Sequence, residues 1–93
     1  MKQTLKTIGI TPRYKGYHYI LTYVQQHTSN IWQGYWNVAI MYNTTPYAVE
    51  RAIRYCVQHC KKDDTYKHIT GTYDCVSPSV FLACLEDLYE GQA

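Results

Sequence analysis

The sequence predicts an all-α fold, a single compact bundle of about five to six helices. Three observations point there. Apolar residues recur at helical spacing in successive segments, short turn signals divide the chain into helix-sized pieces, and two of the pieces open on start signals built around proline. Residues 1–93 read as one domain, since a chain of that length can just bury a single core without staples.

Taken in order, residues 1–8 carry no clear pattern, and the turn signal GITPR at 9–13 follows them. From about Arg13 to Gln26, Tyr17, Ile20, Leu21 and Val24 recur on one helical face, and HTSN at 27–30 closes the segment. From Ile31 to Tyr42, Trp32, Tyr35, Trp36, Ala39 and Ile40 do likewise up to the turn NTTP at 43–46. A third helix is expected over 45–60, ending at KKDD. The β-branched and tyrosine residues of TYKHITGTYDCV leave a short strand or hairpin open. The last helix starts at Ser77 as cap with Pro78 in its first turn and stops at Gly91. It sets Val80, Phe81, Cys84, Leu85 and Leu88 against an acidic side of Glu86, Asp87 and Glu90.

Apolar residues at 46% and charged residues at 17% are the composition of a folded chain. The eleven tyrosines are amphipathic and are expected first at the rim of the core. No apolar run spans a bilayer and no signal peptide opens the chain, so a cytoplasmic protein with reduced thiols at Cys56, Cys60, Cys75 and Cys84 is expected. The net charge of +2 hides an asymmetry. Residues 1–62 hold eight cations against Glu50 alone, +7, and residues 63–93 hold Lys67 against six acids, −5. Such a division suits a polyanion-facing surface with the acidic part turned away, although an uneven surface without function would look the same.

The segment NTTPYAVERAIRY at 43–55 is the most informative. Pro46 drives Thr45 out of the α region, which is the backbone an N-cap needs, and Pro46 itself suits the first helical position. At about 100° per residue, Val49, Ala52, Ile53, Cys56 and Cys60 share one arc. Tyr47, Glu50, Arg51, Arg54 and Gln58 share the opposite one. A preceding helix, a turn of about three residues and this helix make a helix-turn-helix. Arginine can donate two parallel hydrogen bonds to guanine, and glutamate can accept from a cytosine amino group. The bland alternative is that Glu50 and Arg54, four apart, form a surface ion pair of about 0.3–0.5 kcal/mol.

Three blocks resemble the C-terminal DNA-binding effector domain of the stage-zero sporulation response regulator: IGITPRYKGYHYI at 8–20, YNTTPYAVERAIRY at 42–55 and SPSVFLACLEDLYE at 77–90. The resemblance implies an all-α fold of about six helices with a central helix-turn-helix, and a sequence-specific transcription regulator that places helix 45–60 in the major groove of double-stranded DNA. By the same resemblance Glu50 and Arg51 are base readers, Arg54 is a further base or phosphate contact, and Lys15 touches a backbone phosphate. Tyr47 is added to the base-reading set, and Arg13, Thr45, Gln58 and Lys61 to the phosphate set. Departures are visible. Tyr14 stands where the family has isoleucine, PYA at 46–48 replaces a small, polar and basic pattern, and the connections between the blocks are shorter. Tyr47 is therefore expected to read a different site. The chain carries no receiver domain, so a stand-alone regulator is expected, binding as a homodimer or in tandem on adjacent sites because one such unit buries little surface.

Zinc is the rival use of the cysteines. Cys56 and Cys60 with His59 or His68 lack any paired C-x-x-C or C-x-x-H loop, and lone His18 and His27 read as surface or half-buried residues, so no metal and no cofactor is expected. No phosphate loop, nucleophile elbow or carboxylate pair suggests an enzyme or a small-molecule substrate. The alternative function is an accessory protein of helix-turn-helix fold that binds another regulator, with Trp32, Trp36 and the tyrosines as anchors. Convergence of Arg51, Arg54, Lys15 and Lys61 with Glu50 on one surface would favour DNA.

Overall fold

In a computed structural model, residues 1–26, 28 and 30–92 are described, with side chains through Leu88. Six helices follow in order: α1 Lys2–Thr7, α2 Lys15–Gln26, α3 Ile31–Met41, α4 Pro46–His59, α5 Asp64–Thr70 and α6 Pro78–Gln92. The expected all-α bundle is what forms, and no strand occurs among the described residues. None of the helices is long and apolar enough to cross a membrane.

Local chemistry sets the boundaries. The Asn30 side chain accepts from the Trp32 and Gln33 amides and opens α3. At its other end Asn43 takes φ 54°, a left-handed conformation that asparagine tolerates well, and the Thr44 amide returns to the Ala39 carbonyl at 2.9 Å. This closes α3 and turns the chain into α4 within four residues. Thr45 accepts from the Ala48 amide at 3.1 Å, with Pro46 in the first turn, as the sequence led one to expect. Lys62 ends α4 by donating from Nζ to the carbonyls of Val57, Gln58 and Cys60, where a cation also suits the helix dipole.

Some expectations are corrected. The stretch that admitted a strand is α5, because Asp63 caps its start by accepting from the Tyr66 amide and Gly71 at φ 81° closes its end. The first residues form α1, anchored by Leu5. α2 begins at Lys15 rather than Arg13, since Pro12 to Tyr14 form a turn tied by the Tyr14 amide to the Thr11 carbonyl. α6 passes through Gly91 to Gln92, so the glycine does not stop it. The side chain of Glu90, assigned to the acidic side, lies outside the described residues, as does His27.

The core is lined by Leu5, Ile8, Ile20, Val24, Val38, Val49, Ile53, Val57, Phe81, Leu82 and Leu85. α6 thus fills the core beneath α2, α4 and α5, and Val80 turns outward. On α3 the buried face is Tyr35, Val38 and Ala39, while Trp32, Trp36 and Ile40 are exposed, so the expected apolar stripe is rotated. The tyrosines divide: Tyr17, Tyr19, Tyr23, Tyr35 and Tyr66 are buried, against the rim expectation, and Tyr14, Tyr42, Tyr47, Tyr55 and Tyr73 are exposed. Buried Tyr66 satisfies its hydroxyl by donating to the Asp74 carbonyl at 2.7 Å and accepting from the Val76 amide.

Candidate nucleic-acid interface

α3, its Asn43 turn and α4 form the helix-turn-helix, and α2 braces it. A Cβ on Gly16 would stand 2.6 Å from the Ala52 carbonyl oxygen and 2.5 Å from Cys56 Sγ, so only glycine lets α2 approach α4 this closely. That contact fixes the start of α2 beside the recognition-type helix. Lys15, the residue before it, is exposed and lines a shallow groove with Tyr42, Asn43 and Thr44. It sits at the turn.

Along α4, Val49, Ile53, Cys56 and Val57 face the core. Arg51, Arg54, Gln58 and Tyr47 are exposed as expected, but Glu50 is not opposite the core. It lies on the flank with its side chain 21% exposed and binds the Arg54 guanidinium at 2.5 Å. The ion pair entertained as the bland alternative is therefore present. Glu50 and Arg54 border an open groove walled by Trp32, Tyr35, Tyr47 and Pro78. Burial, with Glu50 nearby, pushes the Tyr35 phenol up to about 12, so this wall stays neutral. Tyr47 is 69% exposed and meets Trp32 edge-on at 5.3 Å between ring centroids.

Arg51 differs from its neighbours. It is exposed and has no hydrogen-bond or ion-pair partner among the described residues. Four residues on, Tyr55 is half exposed and meets the His59 ring at a tilt, 4.2 Å between centroids, and Tyr14 reaches Tyr55 at 6.0 Å. From sequence Tyr55 is given no role and His59 is weighed only as a zinc ligand, although spacings of four and eight from Arg51 place both on its line.

The phosphate candidates scatter more. Arg13 is exposed in the turn before α2. The Thr45 hydroxyl accepts from Ala48 yet keeps its own proton to donate. Lys61 lies past the far end of α4, its amide bonded to the Ile8 carbonyl at 2.8 Å, roughly 20 Å from Thr45 by the helical rise. Of the four cations whose convergence was at issue, Arg51 and Arg54 share the exposed side of α4, Lys15 joins at the turn, and Lys61 stands at the opposite end.

The cysteines on α4 are core residues. Cys56 is buried, which pushes its thiol up to about 11, with Cys60 adding to the effect, and Cys60 donates to the Val57 carbonyl. Among the described residues no three histidine, cysteine or carboxylate side chains group to hold a metal ion.

A turn closed by a left-handed asparagine, a threonine-capped second helix and an unpaired arginine on its outer side define a helix-turn-helix domain of the DNA-binding class. The family described as Sporulation initiation factor Spo0A C terminal matches residues 1–77. The chain belongs to that family, the DNA-binding effector domains of sporulation transcription regulators. The third block of the resemblance, at 77–90, lies almost wholly beyond the matched stretch. No curated protein and no solved structure matches the chain.

Proposed function

We propose that this chain is a sequence-specific DNA-binding transcription regulator that lays α4 in the major groove and works as one unit over residues 1–93. Arg51 carries the reading: a guanidinium without a partner among the described residues, on the outer side of a capped helix, is free to donate a bidentate pair to guanine. Glu50 acts beside it with one carboxylate oxygen held by Arg54, leaving the other for a cytosine amino group. Arg54 then presents its remaining N–H groups to a base or phosphate. Tyr47 reaches the base edges from the first turn, braced by Trp32. Lys15, Arg13, Thr45 and Gln58 serve phosphates along the groove, and Lys61 serves one near the far end of α4. A homodimer or tandem pair on adjacent sites supplies the area that one helix lacks.

Selection of bound duplexes from a random pool tests this. A recurrent motif bound well above scrambled sequence at physiological salt is the expected result, and equal binding of both would overturn it.

A protein-binding use has one observation in its favour: α3 has no charged residue, and Trp32, Trp36 and Ile40 stand exposed along it at intervals of four. Failure of the chain to select any duplex would leave that reading in possession.

A further inference from the structure

Tyr47, Arg51, Tyr55 and His59 recur every four residues, so they make one exposed ridge down α4 that drifts by about 40° per step. Its lower half is aromatic. The Tyr55 and His59 rings are tilted by 37° with centroids 4.2 Å apart, and Tyr14 closes on Tyr55 from the turn before α2 at 6.0 Å. The Gly16 contact holds α2 too close to α4 for this second wall to withdraw. The charged residues next to these rings in the chain, Arg13, Lys15 and Arg54, are all cationic, and Arg51 lies one turn away on the same ridge.

We propose that Tyr14, Tyr55 and His59 form a shelf for the DNA sugar–phosphate backbone, a contact surface continuous with the one that reads bases. The inference rests on α4 being the recognition helix. Recognition helices touch base edges from their first turns, so the third and fourth turns meet the strand that borders the groove. Hydroxyl and ring N–H donors suit phosphate oxygens there, and neither tyrosine nor histidine belongs to the usual bidentate base-reading pairs. Tyr55 donates its hydroxyl to one phosphate, His59 donates a ring N–H to a neighbouring one about one helical turn further on, and the Tyr14 ring holds Tyr55 in place. The substitution of tyrosine for the family's isoleucine at position 14 thereby gains a role: it supplies the ring that Tyr55 leans on.

The test uses the full chain, the duplex recovered by selection and a scrambled duplex. Tyr55→Phe removes only the hydroxyl and His59→Ala only the ring. Each is expected to weaken both duplexes by the same factor, about three- to tenfold, the range of one lost hydrogen bond. Ethylation interference supplies the site-specific readout. Each variant should become indifferent to ethylation of one particular phosphate that blocks the unmodified protein, and Tyr14→Ala should reproduce the Tyr55→Phe pattern. Unchanged binding with an unchanged interference pattern would overturn the shelf while leaving selective binding intact. Loss confined to the selected duplex would overturn it too, by making Tyr55 or His59 a base reader. No binding to any duplex by the unmodified chain would overturn the shelf and the DNA-reading function together.

Discussion

The two flanks of α4 spend their charge differently. On the flank toward α3 and α6, Glu50 and Arg54 hold each other beside an aromatic groove. On the flank toward α2, Arg51 has no partner among the described residues and continues into Tyr55 and His59. A paired guanidinium is already oriented and half neutralised, so it adds geometry to an encounter more than attraction. A free one loses rotamer freedom on binding but brings a full charge and its whole hydrogen-bonding fork. One helix thus offers a preset contact and an adaptable contact side by side, and substitutions can separate them.

The largest effect is expected on the free flank. Arg51→Ala should lower affinity for the selected duplex by about 1–3 kcal/mol and relax the preference at one base position, measured by titration against single-base variants. A uniform loss across all sequences would move Arg51 to the phosphate set. Next comes the brace behind that flank. Gly16→Ala forces a methyl against the Ala52 carbonyl, so a urea melt should show a loss of about 1–3 kcal/mol, with α2 and its Lys15 displaced from the turn. Thr45→Ala, which leaves both flanks in place but frays their common start, should cost about 1 kcal/mol of stability in the same melt. Lys15→Ala should weaken selected and scrambled duplexes alike and reduce the salt slope of binding by about one. The smallest stability effect belongs to the paired flank. Glu50→Gln should change the melt by only about 0.3–0.5 kcal/mol, while releasing Arg54 to bind the scrambled duplex more tightly and with a steeper salt dependence. A fall in scrambled-duplex binding would contradict the division between the flanks.

How far the molecule could be read beforehand follows the range of the interactions involved. α4 is legible to within a residue because its start is written in two adjacent residues, the cap Thr45 and the first-turn Pro46. The Glu50–Arg54 pair was legible for the same reason, being one helical turn apart. α5 is obscured by its β-branched and tyrosine residues; the cap at Asp63 and the left-handed Gly71 override that preference. On α3 apolar residues occur on nearly every side, so periodicity could not tell the buried Tyr35, Val38 and Ala39 from the exposed Trp32, Trp36 and Ile40. The meeting of Tyr14 with Tyr55 joins residues about forty apart in the chain, and nothing in local spacing encodes it.

The family's matched stretch stops at residue 77, and the next residue opens α6. Phe81, Leu82 and Leu85 on that helix are fully buried, so they complete the hydrophobic interior beneath α2, α4 and α5. A fragment cut to the matched stretch would open to water the core faces of α2, α4 and α5 that α6 covers. The smallest piece that folds is therefore longer than the piece that likeness delimits, and deletion of α6 should abolish binding by unfolding the domain although none of the assigned base or phosphate contacts lies on that helix.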